Sequence, residues 1–250
     1  MITFKIKRNR FQFRRETVSI PTSWDELTVD QIVKLSKCKS NEDVFRLITG
    51  LDFSLYGQVS PYLDFINVPI RMDQIEKRDF ILIGSDFFQV PNIRNCTFGQ
   101  KMLFKSKLQE VKESNVMESI SYLVSIYLIP TFDVDSLDEY AGRISMCSAF
   151  DVYGVYLNLI DQFESLIERE SKALAVKHDP ISEMAGAKNF NKFGDFNTVD
   201  RIAQKYNYKH SEVEALEYEV VFLMLYLEVT NINYKDSYKN FTNLQNNLTK

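Results

Sequence analysis

Apolar positions along the chain follow two different periods, and together they predict a short β-containing beginning followed by helices. Ile2, Phe4 and Ile6 share one parity and Phe11 and Phe13 another, with Arg8, Asn9 and Arg10 between the two runs. Such alternation is the pattern of a hairpin with one dry and one wet face. Val18 and Ile20 extend the second strand to Pro21, after an irregularity at Arg14 to Glu16. A second hairpin is predicted where Phe80, Ile81, Leu82 and Ile83 lead into Gly84, Ser85 and Asp86, and Phe87, Phe88 and Val90 return. An isolated hairpin is marginal in water, so the two are expected to join in one small sheet.

Helical spacing begins after the first hairpin. Ser23 with Glu26, and Thr28 with Gln31, both have the spacing of a capping box, in which a hydroxyl and an acid or amide satisfy unpaired amide protons at a helix start. Only one of them can cap the helix that carries Ile32, Val33 and Leu35. A short helix is predicted from Asn41 to Gly50 with Val44, Phe45 and Ile48 inward, and a further turn from Ser60 with Pro61 in its first position.

Beyond Thr97 the chain reads as helical throughout. Thr97 with Gln100 opens a helix expected to run towards Glu113 through Met102, Leu103, Leu108 and Val111. In the next, Met117, Ile120, Val124, Tyr127 and Leu128 line one face, and Leu123, Ile126 and Ile129 make it apolar nearly all round, as suits the centre of a bundle. Pro130 ends it. Phe150, Tyr153, Leu157, Ile160, Phe163 and Ile167 form the longest stripe, set against Asp151, Asn158, Asp161, Glu164 and Glu168. Periodicity is lost from Lys177 to Phe196, which predicts a long loop or a mobile segment. A final pair follows: Val199, Ile202, Ala203 and Tyr206, then a unit opened by Ser211 with Glu214, carrying Val213, Leu216, Val220, Leu223 and Leu227 on one packing face. Asn231 to Lys250 is polar and predicts a last short helix that frays. The expected fold class is mainly α (α+β), a helical bundle with a small antiparallel sheet from the N-terminal and a mid-chain hairpin. Its expected division is a small sheet with short helices over residues 1–96 and an all-helical body over 97–250.

Composition agrees with that picture. Glycine and proline number only 8 and 6, against average usages of about 7% and 5%, which favours long helices over turn-rich β architecture. A formal net charge of -4 argues against a surface built as a whole for nucleic acid. Locally, however, Lys5, Lys7, Arg8, Arg10, Arg14 and Arg15 crowd the first fifteen residues, with no acid before Glu16. The first reading of this patch is a charged hairpin edge that resists aggregation. The second is docking onto an acidic partner surface or nucleic acid. The alternating start lacks the apolar run of a signal peptide, so export by the general secretory route is not expected. Met117 to Ile129 is too short to span a bilayer and holds Glu118, Ser119, Ser121 and Ser125, so no membrane partner is expected.

Chemistry-bearing motifs are sparse. Cys38, Cys96 and Cys147 have no paired spacing and read as reduced, buried thiols. His178 and His210 have no metal-ligand neighbours in sequence, and Asp133, Asp135, Asp138 and Glu139 lack the glycine and distal glutamate of a cation loop. No phosphate loop, nucleophile elbow or dinucleotide fingerprint is present. The expectation is a non-enzymatic protein with no cofactor and no metal. Aromatics flank two of the rare glycines, in Phe98-Gly99-Gln100 and Phe193-Gly194-Asp195-Phe196. They either staple helix starts or stand exposed as anchors at a subunit interface, where such side chains contribute most.

Three stretches carry a family resemblance: Ile20, Pro21, Ser23, Trp24, Asp25, Glu26, Leu27, Thr28 and Gln31 leading into a helix; Thr97, Phe98, Gly99 and Gln100; and the aromatic, acid-bearing helix from Tyr218 to Tyr238. Together with the basic hairpin, these resemble structural and assembly proteins of tailed phages of Bacteroides, including the crAss-like group. The resemblance implies a virion neck, portal-barrel or packaged cargo component, or a chaperone for tail proteins, and brings no catalytic residues. It implies other phage structural proteins (portal, neck or tail) as partners, in a homo-oligomeric ring or several copies; nucleic acid, by the charge balance, is a possible partner but not the expected one. Candidate interaction residues are then Lys5, Lys7, Arg8, Arg10, Arg14, Arg15, Trp24, Phe98, Phe193 and Phe196.

Overall fold

The computed structural model describes residues 1–6, 16–112, 116–129, 134–175, 189 and 192–248. It is mainly helical, with strands β1 (Ile2–Ile6), β2 (Glu16–Ile20), β3 (Phe80–Ile83) and β4 (Asp86–Gln89). The helices are α1 (Val29–Leu35), α2 (Asn41–Thr49), α3 (Tyr56–Val59), α4 (Phe98–Glu110), α5 (Val116–Leu128), α6 (Leu137–Ser145), α7 (Ala149–Ala173), α8 (Asp195–Tyr206), α9 (His210–Ala215) and α10 (Tyr218–Leu248). Two compact units interleave along the chain: one holds residues 1–90 and 107–160, the other 91–106 and 161–250.

In the first unit β1 and β2 pair antiparallel in the register Ile2 to Ile20 and Phe4 to Val18, with Ile6 and Ile20 buried. Phe11 and Phe13 lie outside the described residues. β3 and β4 form a separate antiparallel ladder, so among the described residues the two hairpins do not join into one sheet. Each is held by helices instead, which also rescues a marginal hairpin. The segment before β3 lies on α7, where Arg78 N–H donates to the Gly154 carbonyl at 3.0 Å and Asn158 Nδ2 donates to the Arg78 carbonyl at 3.0 Å. Gly154 permits this closeness, since a β-carbon there would meet the Glu76 carbonyl oxygen at 2.6 Å.

The choice between the first two capping boxes goes to Thr28: its hydroxyl accepts from Gln31 N–H, and the Gln31 side chain accepts from Thr28 N–H. Glu26 is engaged elsewhere, accepting from Thr22 N–H. Gly50 closes α2 in the left-handed conformation that glycine adopts without penalty. α5 is enclosed nearly all round, from Ile120 through Leu128.

In the second unit the sequence pattern needs three corrections. Helix α4 turns Phe98, Lys101 and Phe104 inward, leaving Met102 and Leu103 half-buried. The unit expected to run on from Ser211 is instead two helices: α9 opens with Glu212 accepting from Lys209 N–H, and the chain breaks at Leu216 and Glu217 before α10 starts. Asn231 onward is no separate short helix but the continuation of α10, which is 31 residues long.

Each unit contains a joint of the same kind. In the first, Thr28 and Ser148 form an isolated antiparallel bridge, with Val29 N–H donating to the Cys147 carbonyl and Ala149 N–H to the Leu27 carbonyl. In the second, Thr97 bridges Glu217, with Phe98 N–H donating to the Leu216 carbonyl and Tyr218 N–H to the Cys96 carbonyl. The shift is the same on both sides of the joint, 28 to 97 and 148 to 217. Each joint is preceded by a single 3-10 turn, Trp24–Glu26 or Ile93–Asn95, and followed by a helix with the same threonine–glutamine capping box. It joins the start of one helix to the start of a longer one, α1 to α7 and α4 to α10.

Candidate interaction surfaces

The second unit holds a buried charged cluster. Lys101 on α4 is only 3% exposed and places Nζ 3.1 Å from Glu170 on α7 and 3.8 Å from Asp195 at the start of α8. Lys105 lies 3.1 Å from both Asp195 carboxylate oxygens, and the Phe98 ring faces the Lys101 ammonium at 5.3 Å. Burial, and after it the Glu170 carboxylate, push the pKa of the enclosed Tyr218 phenol far up. Two ammonium groups against two carboxylates make a balanced clamp on three helices, because a buried charge is tolerated only when paired. The residues lining a groove in the same unit include none of Lys101, Lys105 and Asp195.

That groove, of about 1000 Å³, lies between the end of α7 and α10 and is lined by residues including Glu168, Arg169, Lys172, Phe222, Tyr226 and Tyr234. Arg169 sets its floor. The guanidinium forks onto Glu219 with bonds of 2.6 and 2.5 Å and stacks on the Phe222 ring at 3.8 Å. The bond from Arg169 holds the Glu219 carboxyl below its ordinary value of 4.5. Lys172 pairs with Glu168 on the same helix, so both charges at the rim are matched.

Alongside the groove runs the exposed face of α10. Its inward row is Tyr218, Val221, Phe222 and Leu225, while Val220, Leu223 and Leu227, expected from their spacing to pack, face out. Leu223 and Leu227 are 54% and 56% exposed, and further along Tyr234, Tyr238 and Phe241 reach 67%, 63% and 71%. In the first unit the outward face of the β3–β4 hairpin is a smaller patch, where Phe80 stacks on Phe87 at 5.2 Å beside exposed Leu82.

The candidate residues from the sequence scatter over these features. Lys5 is exposed on β1, while Lys7, Arg8, Arg10, Arg14 and Arg15 lie outside the described residues. Trp24 is half-buried and committed within its own unit: its indole N–H donates to the Val68 carbonyl at 2.8 Å and its ring meets Phe65 edge-on. Phe98 is 1% exposed, a core residue behind its helix cap and not a surface anchor. Phe193 and Phe196 are about half exposed around the start of α8, with Lys192 over the Phe193 ring and His210 against Phe196. Of the cysteines only Cys96 is buried, and burial raises its thiol pKa to about 11; Cys38 and Cys147 are half-buried. Among the described residues no cluster of histidine, cysteine, aspartate or glutamate is arranged to hold a metal, and no helix is long and apolar enough to cross a membrane. No family model, no curated protein and no solved structure matches the chain.

Proposed function

We propose that the chain is a non-enzymatic component of a tailed-phage particle, a head-tail, portal-barrel or packaged cargo protein, that acts by packing against other proteins. The observation that carries this reading is the exposed apolar face of α10 from Val220 to Phe241. Apolar surface left open in this way marks a place where another protein sits. The resemblance of the Trp24, Thr97 and Tyr218 regions to phage structural proteins supplies the setting: synthesis in the bacterial host cytoplasm and incorporation into the virion, against portal, neck or tail proteins. Mass spectrometry of purified particles is the test. Recovery of the chain in stoichiometric amount supports the reading, and its absence from particles refutes it.

A tail-assembly chaperone is the second reading, favoured by the exposed rings of Tyr226, Tyr234 and Tyr238, whose apolar bodies and polar tips suit transient capture of an aggregation-prone partner. Presence in infected cells together with absence from finished particles would select it. A nucleic-acid-binding module rests on the basic patch alone; retention on nucleic acid unchanged after neutralising Arg8, Arg10, Arg14 and Arg15 eliminates it.

A further inference from the structure

We infer that α10 is a homotypic pairing element, laying its outward face against the same face of a second copy of this chain. The inference rests on the reading that the protein works by packing, and names the partner.

The first observation is spacing. Val220, Leu223, Leu227, Tyr234 and Phe241 fall on the alternating three- and four-residue steps of a heptad seam, with the small polar Thr230 and Ser237 on the two steps between. A helix that repeats apolar side chains every 3.5 residues on average presents a continuous stripe to another helix and not to a sheet or a compact pocket. Over 22 positions at ~1.5 Å each the stripe runs for about 33 Å.

The second observation is where the charges are. From Val220 to Phe241 the charged residues of α10 are Glu228, Lys235, Asp236 and Lys239, and on a helical projection all four fall away from the seam and from the positions flanking it. Those flanks carry uncharged residues such as Met224, Tyr226, Asn231, Asn233 and Tyr238. Flanks of a single sign keep identical helices apart, and uncharged ones let identical seams meet without like-charge repulsion.

The third observation comes from the duplicated joint. Under the shift that carries one joint onto the other, Leu223 and Leu227 of α10 correspond to Gly154 and Asn158 of α7. In the first unit that face is covered from within the chain, by the segment from Glu76 to Asp79 bonded to Gly154 and Asn158. In the second unit the same face carries two leucines more than half exposed. Four half- to two-thirds-exposed aromatic rings at roughly 200 Å² each, with three half-exposed aliphatic side chains, offer on the order of 700 Å² per copy, close to the ~800 Å² per partner of a standard stable interface.

Sedimentation equilibrium of the full chain across the micromolar range tests the inference. The parent should form a dimer. Leu223→Glu with Leu227→Glu should weaken that dimer by at least about a hundredfold, since central desolvated side chains dominate such contacts. Both side chains are solvent-exposed, so the helical circular dichroism should be unchanged, and Lys235→Glu with Lys239→Glu, on the charged face, should leave the dimer intact. A parent that stays monomeric overturns the inference, as does a dimer indifferent to the leucine changes or a seam that pairs only with a different protein. None of those results touches the particle-incorporation reading, which stands or falls on the particle proteome.

Discussion

At Gly154 a β-carbon would meet the Glu76 carbonyl oxygen at 2.6 Å and Arg78 Cγ at 2.5 Å. The oxygen belongs to backbone and cannot rotate away. Gly154→Ala should therefore destabilise the chain by about 2 kcal/mol in denaturant titrations, although alanine gains about 1 kcal/mol of helix propensity. Lys101→Met, which strands the Glu170 carboxylate, should cost about 3 kcal/mol by the same measurement. Cys96, with its raised pKa and buried sulfur, should resist alkylation in the folded chain at mildly alkaline pH and react on unfolding, as peptide mass mapping would show. Residue-scale features were legible where they are local. The Thr28–Gln31 and Thr97–Gln100 caps follow from four consecutive residues, whereas nothing in the sequence marks Lys101, because its partners stand on two other helices.

Element by element, spacing located apolar faces better than it located what covers them. The row Phe150, Tyr153, Leu157, Ile160, Phe163 and Ile167 on α7 is at least half-buried as its period suggested, but a deeper row, Val152, Val155, Leu159 and Leu166, lies beside it. On α10 the gap was wider. Val220, Leu223 and Leu227 have the same helical period as a core row, and nothing in a single sequence tells a face covered by the chain from one left for a partner. The same helix contains the Glu219 carboxylate, whose pKa is depressed by Arg169. A depressed carboxyl pKa stabilises the folded state above the unfolded value and loses that contribution as pH falls through the folded value. With both side chains about a third exposed, the pair contributes at most about 1 kcal/mol. Glu219→Gln should then lower the melting temperature near neutral pH, with the difference from the parent shrinking below pH 4.5; a constant difference across the acid range would show that the pair is not ionic in origin.

For the whole molecule, the fold class was readable because scarce glycine and helical spacing agree, and the interleaving of the two units was not. The joint within each unit repeats the same backbone geometry while the side chains differ, Val29 against Phe98 and Ala149 against Tyr218. Self-association through an uncharged seam also has an ionic-strength signature. Dimer affinity should hold or rise as salt increases, since screening removes nothing and salting-out strengthens apolar burial. A dimer that dissociates in high salt would place the contact on charged surface instead.

The order in which the joints draw on the chain, at 28, 97, 148 and 217, constrains how the protein comes off the ribosome. Its first joint cannot close until Ala149 has been synthesised, and by then Phe98, which waits for Leu216, is already outside. Each nascent chain thus holds an unmatched half-joint through much of its synthesis, an interval in which a segment of a neighbouring nascent chain competes for the vacant place.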